Sequence, residues 1–340
     1  MKRSKSYVVL GMVLLLSISL FVSSRSAAER EIISFFPRGD GDGLIHFINT
    51  RGALLQELPI PDLKLPARSL TWAPDGGSFA CQLRQNRNHD IYVVDVNQKT
   101  HRRLTVNASR DYWPAWSPNG KWIAFVSERA GDMDIYRMDV NGKNLKQLTK
   151  QGECHKPAWS PDSQWIAFTS SSEGRYFTFL MNADGGRSRK LTEDVRVTIP
   201  GCTWSPDGKQ IAFVSRDAEG GMDIFSVDVN GKNLRQLTWA DQDVFITSPV
   251  WSPSGKWIAY ILTKTLEPLK PILVAEDFDD PVICVVNTAG GGAGKSLEMT
   301  KGLTAGDGLD WVPGFLSVSP TAEKQATLWG RLKQSEDASK

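Results

Sequence analysis

The residue types in this 340-residue chain that could do chemistry are few and scattered. Its four histidines, His46, His89, His101 and His155, include no pair at metal-ligand spacing, so no histidine-metal centre is predicted. Its four cysteines, Cys81, Cys154, Cys202 and Cys284, form neither a C-x-x-C pair nor a zinc pattern. Cys154 and Cys202 each stand shortly before a tryptophan; they are either bridged to one another or buried as free thiols. Glu276, Asp277, Asp279 and Asp280 form an acidic cluster. Such a cluster either binds a hard cation such as Ca²⁺ through carboxylate oxygens or is a solvated loop.

Three further stretches imitate reactive motifs. Ala289 to Ser296 reads Ala-Gly-Gly-Gly-Ala-Gly-Lys-Ser, close to a phosphate-binding loop. The first glycine is replaced by Ala289, and a strand follows in place of the helix whose N-terminus would hold phosphate. Arg38 to Gly43 suggests a calcium loop but lacks the bidentate glutamate in register. Gly77-Ser78-Phe79-Ala80 is not a nucleophile elbow, because Ala80 stands where glycine is needed. No catalytic residues are recognised. A lyase or glycosidase would need paired carboxylates or a metal, which only Asp111, Asp307 and the acidic cluster could supply.

A repeat positions all of these residues. The stretch Trp116 to Phe125, Trp-Ser-Pro-Asn-Gly-Lys-Trp-Ile-Ala-Phe, returns at Trp159–Phe168, Trp204–Phe213 and Trp251–Tyr260, with an earlier version at Trp72–Ala80. The tryptophans are spaced by 44, 43, 45 and 47 residues. A fixed period of this size marks one supersecondary unit stacked many times. Proline pre-sets the first turn position, Asp or Asn caps its own backbone, and Gly takes the positive φ, so each copy reads as strand, tight turn, strand. In the third repeat the four strands are Tyr112–Ser117, Lys121–Ser127, Asp134–Val140 and Leu145–Thr149, with Asn141-Gly142 turning the last hairpin. Four short strands per unit is the pattern of a β-propeller blade.

Residues 33 to 59 align without a gap to Ile123–Thr149, supplying three strands and no first strand. Near the other end, Asp310-Trp311-Val312-Pro313-Gly314 is a first strand with no blade after it. The termini therefore complete one blade together, which removes an exposed sheet edge. The prediction is an all-β, six-bladed β-propeller over residues 29–318, its first blade built from three N-terminal strands and one C-terminal strand. Residues 319–340 form a tail, with a short helix predicted at Thr321–Lys333.

Residues 1–28 read as a secretory signal peptide: Lys2, Arg3 and Lys5, then the apolar run Val8–Val22, then Ser26-Ala27-Ala28. Cleavage and retention as an N-terminal anchor both remain open. Removing Lys2, Arg3, Lys5 and Arg25 turns the formal charge of +2 into −2, so nothing points to nucleic acid. No later stretch approaches the roughly 20 apolar residues of a membrane span. The expected product is a periplasmic or extracellular monomer.

In such a ring the connections entering each first strand share a face with the loops between second and third strands. The positions four before each repeat tryptophan, Asp307, Arg68, Tyr112, His155, Pro200 and Thr247, should surround one mouth of the channel. Asp111, Trp113 and Lys156 are neighbours there. Charged and aromatic groups around a concavity suit a binding funnel, so Arg68, Asp111, Tyr112, Trp113, His155, Lys156 and Asp307 are the predicted partner-binding residues. His46 and His89 are expected far from this mouth. The long loop 263–280 of the last full blade, carrying the acidic cluster, lies on the same face.

These Trp-Ser-Pro-Asp-Gly-Lys-x-Ile-Ala-Phe blades resemble the TolB-type propeller repeat, as do Asp90-Ile91-Tyr92, Asp134-Ile135-Tyr136 and the Asn-Gly-Lys-Asn-Leu-x-Gln-Leu-Thr turns. The resemblance covers about residues 31 to 315 of the chain. It implies a secreted, non-catalytic, six-bladed binding propeller without the N-terminal α/β domain of TolB, needing no cofactor and binding a protein or peptide of the cell envelope. The alternative is a metal-dependent polysaccharide lyase or glycosidase with its site in the central funnel.

Overall fold

The computed structural model describes residues 31–37, 44–59, 67–172, 174–192, 197–265, 279–289, 297–298 and 308–313. The signal peptide, most of loop 263–280, Asp307, Glu276, Asp277, the stretch 38–43, residues 290–296 and the tail 319–340 lie outside them. Among the described residues there are six four-stranded antiparallel sheets and no helix. Blade 1 contains β1 (Ile32–Phe35), β2 (Leu44–Asn49) and β3 (Leu54–Pro59). Blade 2 is β4 (Ala67–Trp72), β5 (Ser78–Gln85), β6 (Asn88–Asp95) and β7 (Thr100–Arg103). Blade 3 is β8 (Asp111–Trp116), β9 (Trp122–Ser127), β10 (Asp134–Asp139) and β11 (Lys146–Gln147). Blade 4 is β12 (Cys154–Trp159), β13 (Trp165–Ser172), β14 (Arg175–Asn182) and β15 (Arg189–Lys190). Blade 5 is β16 (Ile199–Trp204), β17 (Gln210–Arg216), β18 (Met222–Asp228) and β19 (Arg235–Gln236). Blade 6 is β20 (Val244–Trp251), β21 (Trp257–Lys264), β22 (Val282–Asn287) and β23 (Leu297–Glu298). The last strand, β24 (Asp310–Trp311), returns to blade 1 and pairs with β1, Ile33 opposite Trp311 and Ser34 opposite Asp310.

Closure of blade 1 by N-terminal and C-terminal strands is thus as the sequence predicts, and the bonds between blades run through it without a break. The Trp159 indole donates to the Ala115 carbonyl of the preceding blade at 3.0 Å, and Trp204 repeats this to Ala158 at 3.0 Å. Trp311 does the same to Val250 of blade 6 at 3.1 Å. On the other side Asp310 Oδ2 accepts the Trp72 N–H of blade 2 at 3.2 Å, as Thr203 Oγ1 accepts that of Trp251 at 3.2 Å. At the turn of blade 2, Gly76 takes φ +69°, and a Cβ there would stand 3.0 Å from the Pro313 carbonyl. The first strands touch one another around the ring and so form its inner wall.

The repeat residues are explained by what they hold. Ser117 Oγ accepts the Trp122 N–H at 2.9 Å and donates to Asn119 Oδ1 at 2.8 Å, while that oxygen accepts the Lys121 N–H at 3.0 Å. Ser205, Asp207, Lys209 and Gln210 repeat the pattern in blade 5. These serine and backbone donors hold the Asp162 and Asp207 carboxyls below the usual carboxylate range. The Asp-Ile and Leu-Thr signatures meet across the outer pair of strands. Thr149 Oγ1 accepts the Ile135 N–H at 2.9 Å and donates to Asp134 Oδ1 at 2.7 Å. Thr238, Ile224 and Asp223 do likewise. A side chain thereby finishes the ladder, which is why β11 has 2 residues where the sequence predicts a strand over 145–149. The core stacks Phe35, Phe125, Phe168, Phe213 and Tyr260 at one register of the second strands, all fully buried, with Cys81 there in blade 2.

The disulfide alternative is overturned: Cys154 and Cys202 are both free. Cys154 stands five residues before its repeat tryptophan and Cys202 two. Three residues of strand displace the two thiols by about 10 Å, beyond bridging distance. Burial pushes the Cys154 thiol up to about 11 and the Cys202 thiol up to about 12.

Candidate functional site

Five of the first strands carry a bulge about three residues before the repeat tryptophan. The register shifts between Arg68 and Thr71, Tyr112 and Ala115, His155 and Ala158, Ile199 and Cys202, and Thr247 and Val250. At the third residue before the tryptophan the backbone turns left-handed in all six blades: Gly308 (φ +89°), Ser69 (+53°), Trp113 (+49°), Lys156 (+40°), Gly201 (+131°) and Ser248 (+53°). A bulge re-aims side chains at a strand end. It also asks a non-glycine residue to accept about 1–2 kcal/mol of backbone strain. Four blades answer with glycine or serine. Blades 3 and 4 place tryptophan and lysine there.

The re-aimed residues meet. The Tyr112 ring lies 5.1 Å from His89 and 5.4 Å from Trp113; Trp113 lies 5.2 Å from His155, and His155 5.2 Å from Tyr176. Five half-buried rings thus run without a gap across blades 2, 3 and 4. Buried Gln82 anchors one end. A backbone N–H can only donate, so the Gln82 oxygen must face Trp113 N, at 3.3 Å. Its amide nitrogen then donates to His89 Nδ1 at 2.7 Å. His89 Nδ1 is therefore an acceptor, and the ring is neutral with its proton on Nε2. Burial, then the charges of Arg84, Arg110 and Arg68, lower the His89 pKa, in agreement. Burial is also the main cause lowering that of His155, whose Nδ1 is buried without a partner. The Tyr112 hydroxyl donates to Glu128 at 3.1 Å. Arg110, which also reaches Tyr112, is exposed, as are Arg68 and Arg84. Lys156 crosses to blade 5, where a Cβ on Gly201 would meet its side chain at 2.9 Å.

Tyr112, Trp113, His155 and Lys156 thus belong to one continuous surface, with Arg68 on its border. Asp111 is a correction. Its side chain is fully buried, 2.9 Å from Arg129 Nη2 and 2.8 Å from Asn107 Nδ2. Arg129 in turn stacks over Phe125 and Tyr136. Strand alternation turns Asp111 into the blade while Tyr112 faces the mouth, so Asp111 braces the strand and cannot meet a partner. His89 is a second correction. Expected far from the mouth, it packs on Tyr112, because β5 and β6 form a long hairpin reaching to Asn86 and Arg87. Gln82 and Tyr176 were not foreseen. Tyr176 sits one residue before Phe177, which occupies the place of Asp134, and that departure from the Asp-Ile pattern was a visible signal. Pro200 and Thr247 are half-buried and contribute no ring or charge. Asp279 and Asp280 are exposed. Among the described residues no group of three or more His, Cys, Asp or Glu is placed to hold a metal ion.

Below the mouth, the residues just before the repeat tryptophans line the channel: Thr71, Ala115, Ala158, Thr203, Val250 and Asp310, all half-buried. Asp310 is the single charge among them. Burial pushes its carboxyl up to about 7, outweighing the N–H donors of Trp72 and Trp311.

The ring, its Trp-Ser-Pro turns and its closure define a six-bladed repeat propeller, and comparison with known proteins agrees. The TolB beta propeller domain matches residues 59–156 and 149–269, so the chain belongs to that family. Among solved structures, TolB from Acinetobacter baumannii is similar with a TM-score of 0.66 at 20% identity, covering 92% of this chain and 75% of that one. A putative TolB from Agrobacterium tumefaciens gives 0.60 at 17% identity, covering 84% and 98%. A chain of a nidogen/laminin complex gives 0.58 at 11% identity, covering 83% and 98%. At these identities the likeness shows the fold alone. No curated protein matches.

Proposed function

We propose that this chain is a non-catalytic propeller of the cell envelope, delivered to the periplasm or exterior by residues 1–28, that binds a protein or peptide partner at its channel mouth. One observation carries the reading. Trp113 and Lys156 occupy left-handed bulge positions where the other blades use glycine or serine. Strain of this kind collects where a surface is used, and Trp113 sits in the continuous row of rings at the mouth. Tyr, Trp and Arg are also the residue types that dominate the energetic centres of protein interfaces. TolB-family membership supports a binding role in the envelope.

The test is site-specific photo-crosslinking in the native envelope. A photo-reactive residue replaces Ala108 on the mouth face or Lys121 on the hairpin face, both exposed. Crosslinks to a partner are expected from position 108 alone, and should vanish when Trp113→Ser and His155→Ala are combined. Equal crosslinking from both faces, or none from position 108, overturns the reading. Thermal unfolding with and without Ca²⁺ runs beside it; a large calcium-dependent rise would favour a metal-dependent enzyme acting on polysaccharide.

A further inference from the structure

We infer that the mouth of blades 2 to 4 recognises an extended acidic peptide segment bearing aromatic or large apolar side chains; this rests on the binding reading above and adds the chemistry of the occupant. The rings form a connected apolar surface from His89 to Tyr176. Positive charge gathers at its blade-2 end: exposed Arg84 lies directly across the strand pair from His89, exposed Arg68 lies across from Gln82, and exposed Arg110 stands two residues before Tyr112, with Glu128 the opposing acid. Glu128 is engaged by Tyr112, and at the other end Glu153 and Lys156 act on His155 in opposite directions. The imidazoles stay neutral near pH 7, so the attraction for anions comes from guanidinium and ammonium groups, which present donors to carboxylates.

The geometry favours a peptide over an acidic polysaccharide or a nucleobase. Those stack on flat platforms, whereas neighbouring rings here are inclined by 38°, 33°, 45° and 82°. Inclined rings make side-chain-sized clefts. Of the acceptors a sugar would use, Asp111 is buried against Arg129, the Gln82 oxygen is held by Trp113 N, and Glu128 takes the Tyr112 hydroxyl, which leaves Glu153 exposed. Inclined rings bordered by exposed arginines suit acidic and aromatic side chains alternating along one strand.

The probe is a fluorescein-labelled peptide of alternating Glu and Phe, read by polarisation against the purified chain. Its Lys–Phe and Glu–Ala counterparts and polygalacturonate serve as comparisons. The Glu–Phe peptide should bind, the other two peptides should bind much more weakly, and added salt should weaken binding. Combined Arg84→Ala and Arg110→Ala, and separately Trp113→Ser, should each weaken it roughly tenfold or more, with Lys121→Ala unchanged. Both arginines are exposed, so their removal leaves the fold intact. Equal binding of the Lys–Phe peptide, tighter binding of polygalacturonate, or indifference to the arginine variant overturns the inference. If every peptide fails while position 108 still crosslinks in the envelope, the acidic-peptide inference falls and the binding reading stands; if crosslinking fails too, both fall.

Discussion

The two faces of this ring obey opposite rules. On the hairpin face, the same residue recurs in blade after blade and makes the same bond: Ser117, Ser160 and Ser205 each accept the N–H of the residue five places on. On the mouth face, one backbone conformation recurs and the residue changes, from Gly308 to Trp113 to Lys156. Recurrence of a residue marks what closes and stiffens the ring. Change of residue at a constant conformation marks a surface released from that task. Rigid blades free the mouth to vary, since loops and strand ends can change without disturbing the sheets beneath them.

Four experiments would break or sharpen that contrast. The largest effect is expected from deleting residues 31–60, which removes β1, β2 and β3 and leaves β24 without a sheet. The product should not fold to a soluble ring, and a cooperative thermal transition like that of the whole chain would contradict shared closure. Next comes Trp159→Ala, which empties a buried site between blades 3 and 4 and removes the bond to Ala115. A loss of about 3–5 kcal/mol in urea unfolding is expected, without change in the chemistry of the mouth.

Asp310→Asn gives a smaller and pH-dependent effect. The folded pKa of about 7 lies above the usual carboxylate value, so the folded state binds the extra proton. Stability from this group is therefore greatest at acid pH and falls as pH rises through the interval from about 4 up to the folded value. The Asn variant keeps one acceptor, for Trp72 N, gives up the other to Trp311 N, and should lose that slope. An unchanged slope would place the carboxylate in free contact with water. The smallest change is Lys156→Gly, which releases left-handed strain while adding freedom to the unfolded chain. Stability should stay within about 0.5 kcal/mol of the parent, while any partner crosslinked at the mouth is weakened. A large destabilisation would make Lys156 part of the frame and remove half the argument for a site.

Much of the frame was readable because it is local. The Ser-Pro-Asp-Gly turn closes within six residues, so its bonds are implied by spacing alone. The ring closure was legible too, since residues 33–59 copy Ile123–Thr149 and the orphan Trp311 completes them. The site was less legible. Tyr112, Trp113 and His155 were reached by counting back from tryptophans, but the same counting admitted Asp111, which the strand turns inward against Arg129. His89 falls in or beside a third strand, which places it far from the mouth by pattern, though the length of its hairpin carries it onto Tyr112. Gln82 gives no signal in sequence: its role exists only because blade 2 meets blade 3.

The sequence by itself therefore determined the number of blades, their turns and the way the ends meet, because a period of about 45 residues and the chemistry of turns act over short separations. Only the tertiary structure decided which side chains share a surface. Neighbouring blades bring residues distant in the chain into ring-to-ring contact, His89 onto Tyr112 and Trp113 onto His155, and a bulge reverses which side of a strand a residue faces. Neither the contact nor the reversal is written in the order of residues within a single blade.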